Sequence, residues 1–236
     1  QRVGLLAGED LDPEISTNGL AQDLLGRRFA SFDADSVPGG LAETWTWDLD
    51  VSFGVVGCAV GASFAVLVAE ELFASGCRLL VSMTSAGQIV AKGAPPYFVL
   101  IDRALRDEGT SYHYLPPSDY AEVDPSLLDR LQGAFRALPE PVHTGASWTT
   151  DAPFRETDEA ISAARSAGIL AVEMEAAALY AFATARGRPV VCFAHVTNQM
   201  ATIEGDFEKG EADGTRDALL VVAATARAAA DLWKAG

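Results

Sequence analysis

The sequence predicts an α/β fold, a three-layer single domain spanning residues 1–236 with a central mixed or parallel β-sheet flanked by helices. Three observations predict it. Short apolar runs rich in branched side chains alternate with Ala-rich segments suited to helix, the pattern of buried strands joined by helical crossovers. The 236 residues are 49% hydrophobic, enough for one sizeable core, and no linker-like stretch divides them. No internal repeat or low-complexity segment points to another architecture.

Taken in order, residues 3–8 read as a first strand ending in a turn, and residues 14–26 as a helix. Residues 44–50 alternate like a half-exposed strand, whereas 51–56 form a more continuous apolar run. Small residues from Gly57 to Ser63 then turn the chain into a helix over about 61–75. Residues 79–83 are a buried strand, which Thr84, Ser85, Ala86 and Gly87 end in a loop of small residues where backbone can approach a ligand. A strand at 97–101 precedes a helix at 124–138, with Asp124 as its cap and Pro125 at its first position. Residues 142–146 begin another strand, 157–167 are helical, 189–194 are a buried strand, and an Ala-rich helix covers 213–234.

Composition excludes several functions. With 17 basic and 33 acidic residues the formal charge is -16, which repels polymeric nucleic acid and anionic membrane surfaces. A small anion can still bind through local backbone amides or a few arginines. No apolar run is long enough to span a bilayer and the N-terminus lacks a secretory pattern, so a cytoplasmic protein is expected. Cys58, Cys77 and Cys192 lie in apolar surroundings without paired spacing and read as reduced core residues. Metal-ligand spacing, a dinucleotide fingerprint, a nucleophile elbow and a P-loop are all missing, so no bound cofactor is expected.

In open α/β folds the ligand sits beyond the carboxyl ends of the strands, and polar residues cluster there at 8–12, 84–87, 173–175 and 195–199. A fifth segment, 147–154, sets Trp148 and Phe154 among hydroxyls and an acid, and aromatic faces with amide edges suit a nucleobase. The most informative stretch is 169–180, where an apolar run meets Glu173, Met174 and Glu175 and then an Ala-rich segment. Two carboxylates thus stand where a buried strand gives way to a helix. Burying a carboxylate without a partner costs several kcal/mol, so these must meet backbone amides, a cation or ligand hydroxyls. A vicinal diol would suit.

These residues resemble the nucleoside phosphorylase and nucleosidase superfamily that includes bacterial purine nucleoside phosphorylase and uridine phosphorylase. The segment from Val172 to Tyr180 looks like that family's ribose-binding signature; the stretches 57–63, 85–89 and 106–111 support it in order. The resemblance runs from about residue 3 to the end and implies a dimer, or a hexamer made of dimers. It implies that Glu175 binds the ribose 2'- and 3'-hydroxyls, that Met174 packs on the sugar and that Glu173 supports the site. Trp148 and Phe154 hold the positions where relatives stack an aromatic on the base. Asn198 replaces an aspartate that protonates the leaving base, so a 6-oxopurine or pyrimidine is expected rather than adenine.

The acceptor side departs from the family. Its phosphorylases grip phosphate with two arginines, where this chain has Asp12 and Ser82, while Ser85, Gly87 and Gly8 remain for the acceptor. Arg103 and Arg106 are candidates for the missing charge, with surface placement the plainer expectation. His113 and His195 are candidates for the ribose 5'-hydroxyl or a subunit boundary, and Arg216 for assisting the leaving group. The expected reaction is cleavage of a nucleoside N-glycosidic bond by phosphate. The alternatives are hydrolysis, with Asp12 activating water, and a non-catalytic nucleoside-binding protein.

Overall fold

The uninterrupted apolar runs are covered on both faces, so they form the middle layer of the molecule. A computed structural model describes residues 2–7, 21–22, 28–29, 31–32, 52–57, 59–74, 76–199 and 214–233. Its strands are β1 (Arg2–Ala7), β2 (Ala21–Gln22), β3 (Arg28–Phe29), β4 (Ser31–Phe32), β5 (Ser52–Gly57), β6 (Leu79–Gln88), β7 (Tyr97–Asp107), β8 (Tyr120–Glu122), β9 (Val142–Thr150), β10 (Ala171–Glu173) and β11 (Val190–Asn198). The α-helices are α1 (Ala62–Ala74), α2 (Pro125–Leu131), α3 (Asp158–Ser166), α4 (Ala176–Arg186) and α5 (Thr215–Ala228).

The large sheet runs in the order β10-β9-β7-β11-β6-β1-β5-β4, with β8 added to β7. It is mixed: β11 lies parallel to β6 but antiparallel to β7, which in turn is parallel to β9. Strand β10 pairs in parallel with β9 and antiparallel with β6, so β6, β11, β7, β9 and β10 close into a ring. That closure carries the end of β10 to the ends of both β6 and β9.

Alternation along the strands sorts the core into layers. Tyr97, Val99 and Ile101 of β7, with Val190, Cys192, Ala194 and Val196 of β11, face a core shared with α1 and α4. Their neighbours Phe98, Leu100, Val191 and Phe193 face the other way, onto Leu127 and Leu131 of α2 and Val221, Val222 and Ala226 of α5. A smaller cluster of Ile89, Ala146, Trp148, Ala164, Ile169 and Val172 lies between β9, β10 and α3. The result is the expected three-layer α/β architecture.

Helix α4 is buried on every side from Ala176 to Phe182. Its alanines allow close approach to the sheet. The Tyr180 hydroxyl ties it down by donating to the Ile101 carbonyl at 2.6 Å and accepting from the Cys192 N–H at 3.0 Å. Gly187 ends the helix in the left-handed conformation, at φ 61°. Cys77 and Cys192 are buried thiols, and Cys58 lies outside the described residues.

Several boundaries correct the expectations from sequence. Residues 84–87 are strand rather than loop, because Ser85 and Gly87 lie opposite His195 and Asn198 while Gly87 also faces Val172. Backbone pairing likewise extends β7, β9 and β11 well past the expected ends. Helix α2 has the expected Asp124 cap, which accepts from the Ser126 N–H at 2.7 Å. It stops at Leu131 rather than residue 138, since Gln132 leaves helical backbone and Gly133 takes a φ of +77°. Ala21–Gln22 is a strand paired with Arg28–Phe29, not helix. The rest of 14–26, and all of 44–50, lie outside the described residues.

Candidate functional site

The site is built where β10 passes into α4. Strand β10 ends at Glu173, Glu175 stands just before the first helical residue, and the chain turns between them so that the two carboxylates reach different partners. Glu173 Oε1 accepts from the hydroxyls of Ser147 at 2.9 Å and Thr149 at 2.5 Å. Its Oε2 accepts from the backbone N–H groups of Glu175 and Ala176, each at 2.7 Å. Thr149 also accepts from the Ala177 N–H at 2.9 Å, so the opening amides of α4 are satisfied by one carboxylate and one hydroxyl.

Glu175 turns to the other side. Its Oε1 accepts from the Gly61 N–H at 2.6 Å, and its Oε2 from the Thr84 hydroxyl at 2.8 Å and the Met174 N–H at 3.2 Å. Gly61 precedes α1 with a φ of +91°, a conformation that glycine tolerates and that aims its N–H across at the carboxylate. Glu173 is 3% and Glu175 4% exposed. Burial, reinforced by the charge of Glu175, pushes Glu173 up to about 7. Burial also raises Glu175, against the donors Gly61, Thr84 and Met174, which favour its ionised form.

The ends of β6 and β11 complete the neighbourhood. Ser85 follows Thr84 and shares a 3.0 Å hydrogen bond with the Thr197 hydroxyl, and Asn198 Nδ2 lies 3.5 Å from the same oxygen. Gly87 is opposite both Val172 and Asn198. The structure therefore brings Glu173, Met174, Glu175, Ser85, Gly87 and Asn198 to one end of the closed ring. Gly8 and Asp12 lie outside the described residues.

The two aromatics expected at the base are placed elsewhere. Trp148 is 5% exposed and packs in the cluster beside α3, its Nε1–H donating to Asp107 at 2.9 Å. The physical reason is strand alternation: Ser147 and Thr149 point to Glu173, so Trp148 points away. Phe154, on a 3-10 turn at Pro153–Arg155, is 102% exposed and makes no part of this cluster.

Other candidates have structural partners. Arg106 is buried, contrary to surface placement. It binds Ser111, Ser118 and the carbonyls of Leu115 and Pro116, with its guanidinium 4.2 Å from the Tyr112 ring centre. Arg103 is exposed and lies over Tyr120. His195 is buried and stacks on Phe98 at 4.5 Å, His113 is exposed, and Arg216 sits in the first turn of α5. Among the described residues no cluster of three or more His, Cys, Asp or Glu side chains is arranged to hold a metal ion. No described helix is long and apolar enough to cross a membrane.

Sequence reasoning singled out the segments that hold Gly61, Thr84, Ser147, Thr149 and Thr197 but gave these five residues no individual role. The i, i+2 spacing of Ser147 and Thr149 is a signal that a longer β9 would have made readable. Thr84 and Gly61 lie far from Glu175 along the chain, and only folding joins them.

The fold and this junction define an α/β protein that displays buried carboxylates at the rim of a closed sheet. The chain belongs to the phosphorylase superfamily, whose family model matches residues 36–232. It is similar to a guanosine phosphorylase from Halorubrum lacusprofundi, 28% identical over 155 residues, which are 66% of this chain and 61% of that protein. A DeoD-type purine nucleoside phosphorylase from Colwellia psychrerythraea is 28% identical over 152 residues, 64% of this chain and 65% of the relative. The chain thus spans somewhat under two thirds of each relative's length. Among solved structures, uridine phosphorylase from Vibrio fischeri ES114 matches with a TM-score of 0.68 at 21% identity, covering 94% of this chain and 89% of that one. An AMP nucleosidase from Bacteroides thetaiotaomicron matches with a TM-score of 0.62 at 21% identity, over 77% and 75%. Both are likenesses of fold.

Proposed function

We propose that this protein cleaves the N-glycosidic bond of a nucleoside, transferring the pentosyl group to phosphate and releasing the free base. Glu175 carries the reading: a buried carboxylate held by Gly61, Thr84 and Met174 at the rim of the ring, with accepting capacity left for sugar hydroxyls. Cleavage develops positive charge on the sugar ring, and a carboxylate fixed at the 2'- and 3'-hydroxyls orients and stabilises that transition state. Met174 packs on the sugar. Asn198 donates to a carbonyl oxygen of the departing base, which suits a 6-oxopurine or a pyrimidine; the guanosine and purine nucleoside phosphorylases among its relatives support the former. Ser85 and Gly87 face the acceptor. Phosphate is a co-substrate, no bound cofactor is used, and the protein acts in the cytoplasm as a homodimer or as a hexamer made of three dimers.

One observation favours hydrolysis as the second reading. Ser82 is buried in β6, Arg106 is committed to its own loop and Arg103 is exposed, so none of these supplies a guanidinium for a phosphate dianion. In that reading Asp12 activates water. Incubation with inosine and with uridine, each with and without phosphate, decides between them. Base release that requires phosphate supports phosphorolysis, and equal release in both buffers replaces it with hydrolysis. Saturable binding without turnover would leave a nucleoside-binding protein.

A further inference from the structure

We propose that Thr84 is a positioning residue for the sugar subsite, acting through Glu175; this rests on the reading of Glu175 as the diol acceptor. Of the three donors that the described residues provide to this carboxylate, two are backbone amides, and Thr84 contributes the side chain. Its hydroxyl has two acceptors within reach, Glu175 Oε2 at 2.8 Å and the Ser85 carbonyl at 3.3 Å, and the shorter contact gives its proton to the carboxylate. Thr84 is buried in extended backbone opposite Ala194, where a β-branched side chain has little rotamer freedom.

The consequence is geometric. A glutamate side chain rotates about its terminal bond unless both oxygens are held. Gly61 from the start of α1 holds Oε1, and Thr84 from β6 holds Oε2, so the carboxylate plane is fixed from two separate elements. The pair of oxygens is then presented at one orientation to two neighbouring hydroxyls. Loss of the Thr84 donor also leaves Oε2 with the longer Met174 contact alone, in a site where burial already disfavours the ionised form. A hydroxyl is required at this position, and serine supplies it as well as threonine.

The test compares a ligand that uses the diol with one that lacks it. Dissociation constants are measured by calorimetry, without phosphate, for inosine and 2',3'-dideoxyinosine, with uridine and its dideoxy counterpart in parallel. Thr84→Val is expected to weaken the ribonucleoside about tenfold and the dideoxy analogue less than about twofold, and Thr84→Ser to stay within about twofold for both. Thr84→Ala removes the hydroxyl without setting a methyl against the carboxylate and answers the same question if the valine protein does not fold. Equal losses for the two ligands, or unchanged affinity, overturn the proposal while Glu175 keeps its role. If the wild-type protein binds neither nucleoside, or Glu175→Gln binds as wild type does, the reading of Glu175 falls and takes this one with it.

Discussion

Glu173 and Glu175 stand two residues apart, and the regions they serve are opposites. On the Glu173 side, Ser147, Thr149 and the amides of Glu175 and Ala176 surround the carboxylate, and every donor belongs to β9 or to the cap and first residue of the helix it starts. On the Glu175 side the donors come from α1, β6 and the turn itself, next to the strand ends that carry Ser85 and Asn198. One acid anchors the helix, and the other is displayed by it. The difference teaches that a pair of acidic residues at a strand-to-helix junction is not one site: the turn of the backbone divides their work.

The largest effect that can break this division is loss of the anchor. Glu173→Ala leaves two hydroxyls and the amides of Glu175 and Ala176 without that acceptor and is expected to cost about 4 kcal/mol in denaturant unfolding. Glu173→Gln should cost only about 1 kcal/mol, because its carbonyl can take the amides while Ser147 and Thr149 turn to accept from its NH2 group. Similar losses in the two variants would show that the four-donor pattern does not anchor α4.

Next in size is a pH dependence of stability. Glu173 titrates near 4.5 when exposed and at about 7 in the folded protein, so between these values the native chain holds a proton that the unfolded chain releases. The stability contribution is therefore complete below pH 4.5, is lost as pH rises through about 7, and levels off above it. The loss amounts to about 3 kcal/mol, to which the raised Glu175 adds with the same sign. Unfolding curves collected at pH 5 and pH 8 measure it. In Glu173→Gln the dependence should be much flatter, and an unchanged slope would assign it to other groups.

A third effect sharpens the other half of the comparison. Glu175→Gln keeps the shape but loses the charge, and kcat/KM for the nucleoside should fall about a hundredfold, equivalent to about 2.7 kcal/mol, with stability equal to or above wild type at pH 8. The smallest change is at Gly61. A methyl there meets no atom of the described residues within 4 Å, and the φ of +91° penalises Gly61→Ala by about 1–2 kcal/mol. Because its N–H would swing off Glu175, KM should rise severalfold while kcat changes less. A stability loss with KM untouched would remove Gly61 from the sugar subsite.

Much of the middle layer was legible because both faces of the long strands are buried and their apolar runs are continuous. What was missed has one cause. Hydroxyl-rich and glycine-bearing stretches at 84–87, 147–150 and 195–198 carry turn chemistry in isolation, yet they are strand, because β10 and β11 pair with β6 while β7 and β10 pair with β9, which supplies the backbone partners. Once β9 runs through Thr150, alternation puts Ser147 and Thr149 on the Glu173 side and sends Trp148 into the cluster beside α3. A residue expected to stack on a base is thereby a core residue.

By itself the sequence determined the layered α/β plan, the strand-to-helix junction at residues 173–176 and the presence there of two acids in need of donors. Those follow from local periodicity and from the cost of burying charge, which need no knowledge of distant neighbours. Only the tertiary structure decided which donors answer which acid. Gly61 and Thr84 reach Glu175, while Ser147 and Thr149 reach Glu173, because β10 closes the ring between β6 and β9 and joins segments that the chain itself holds far apart.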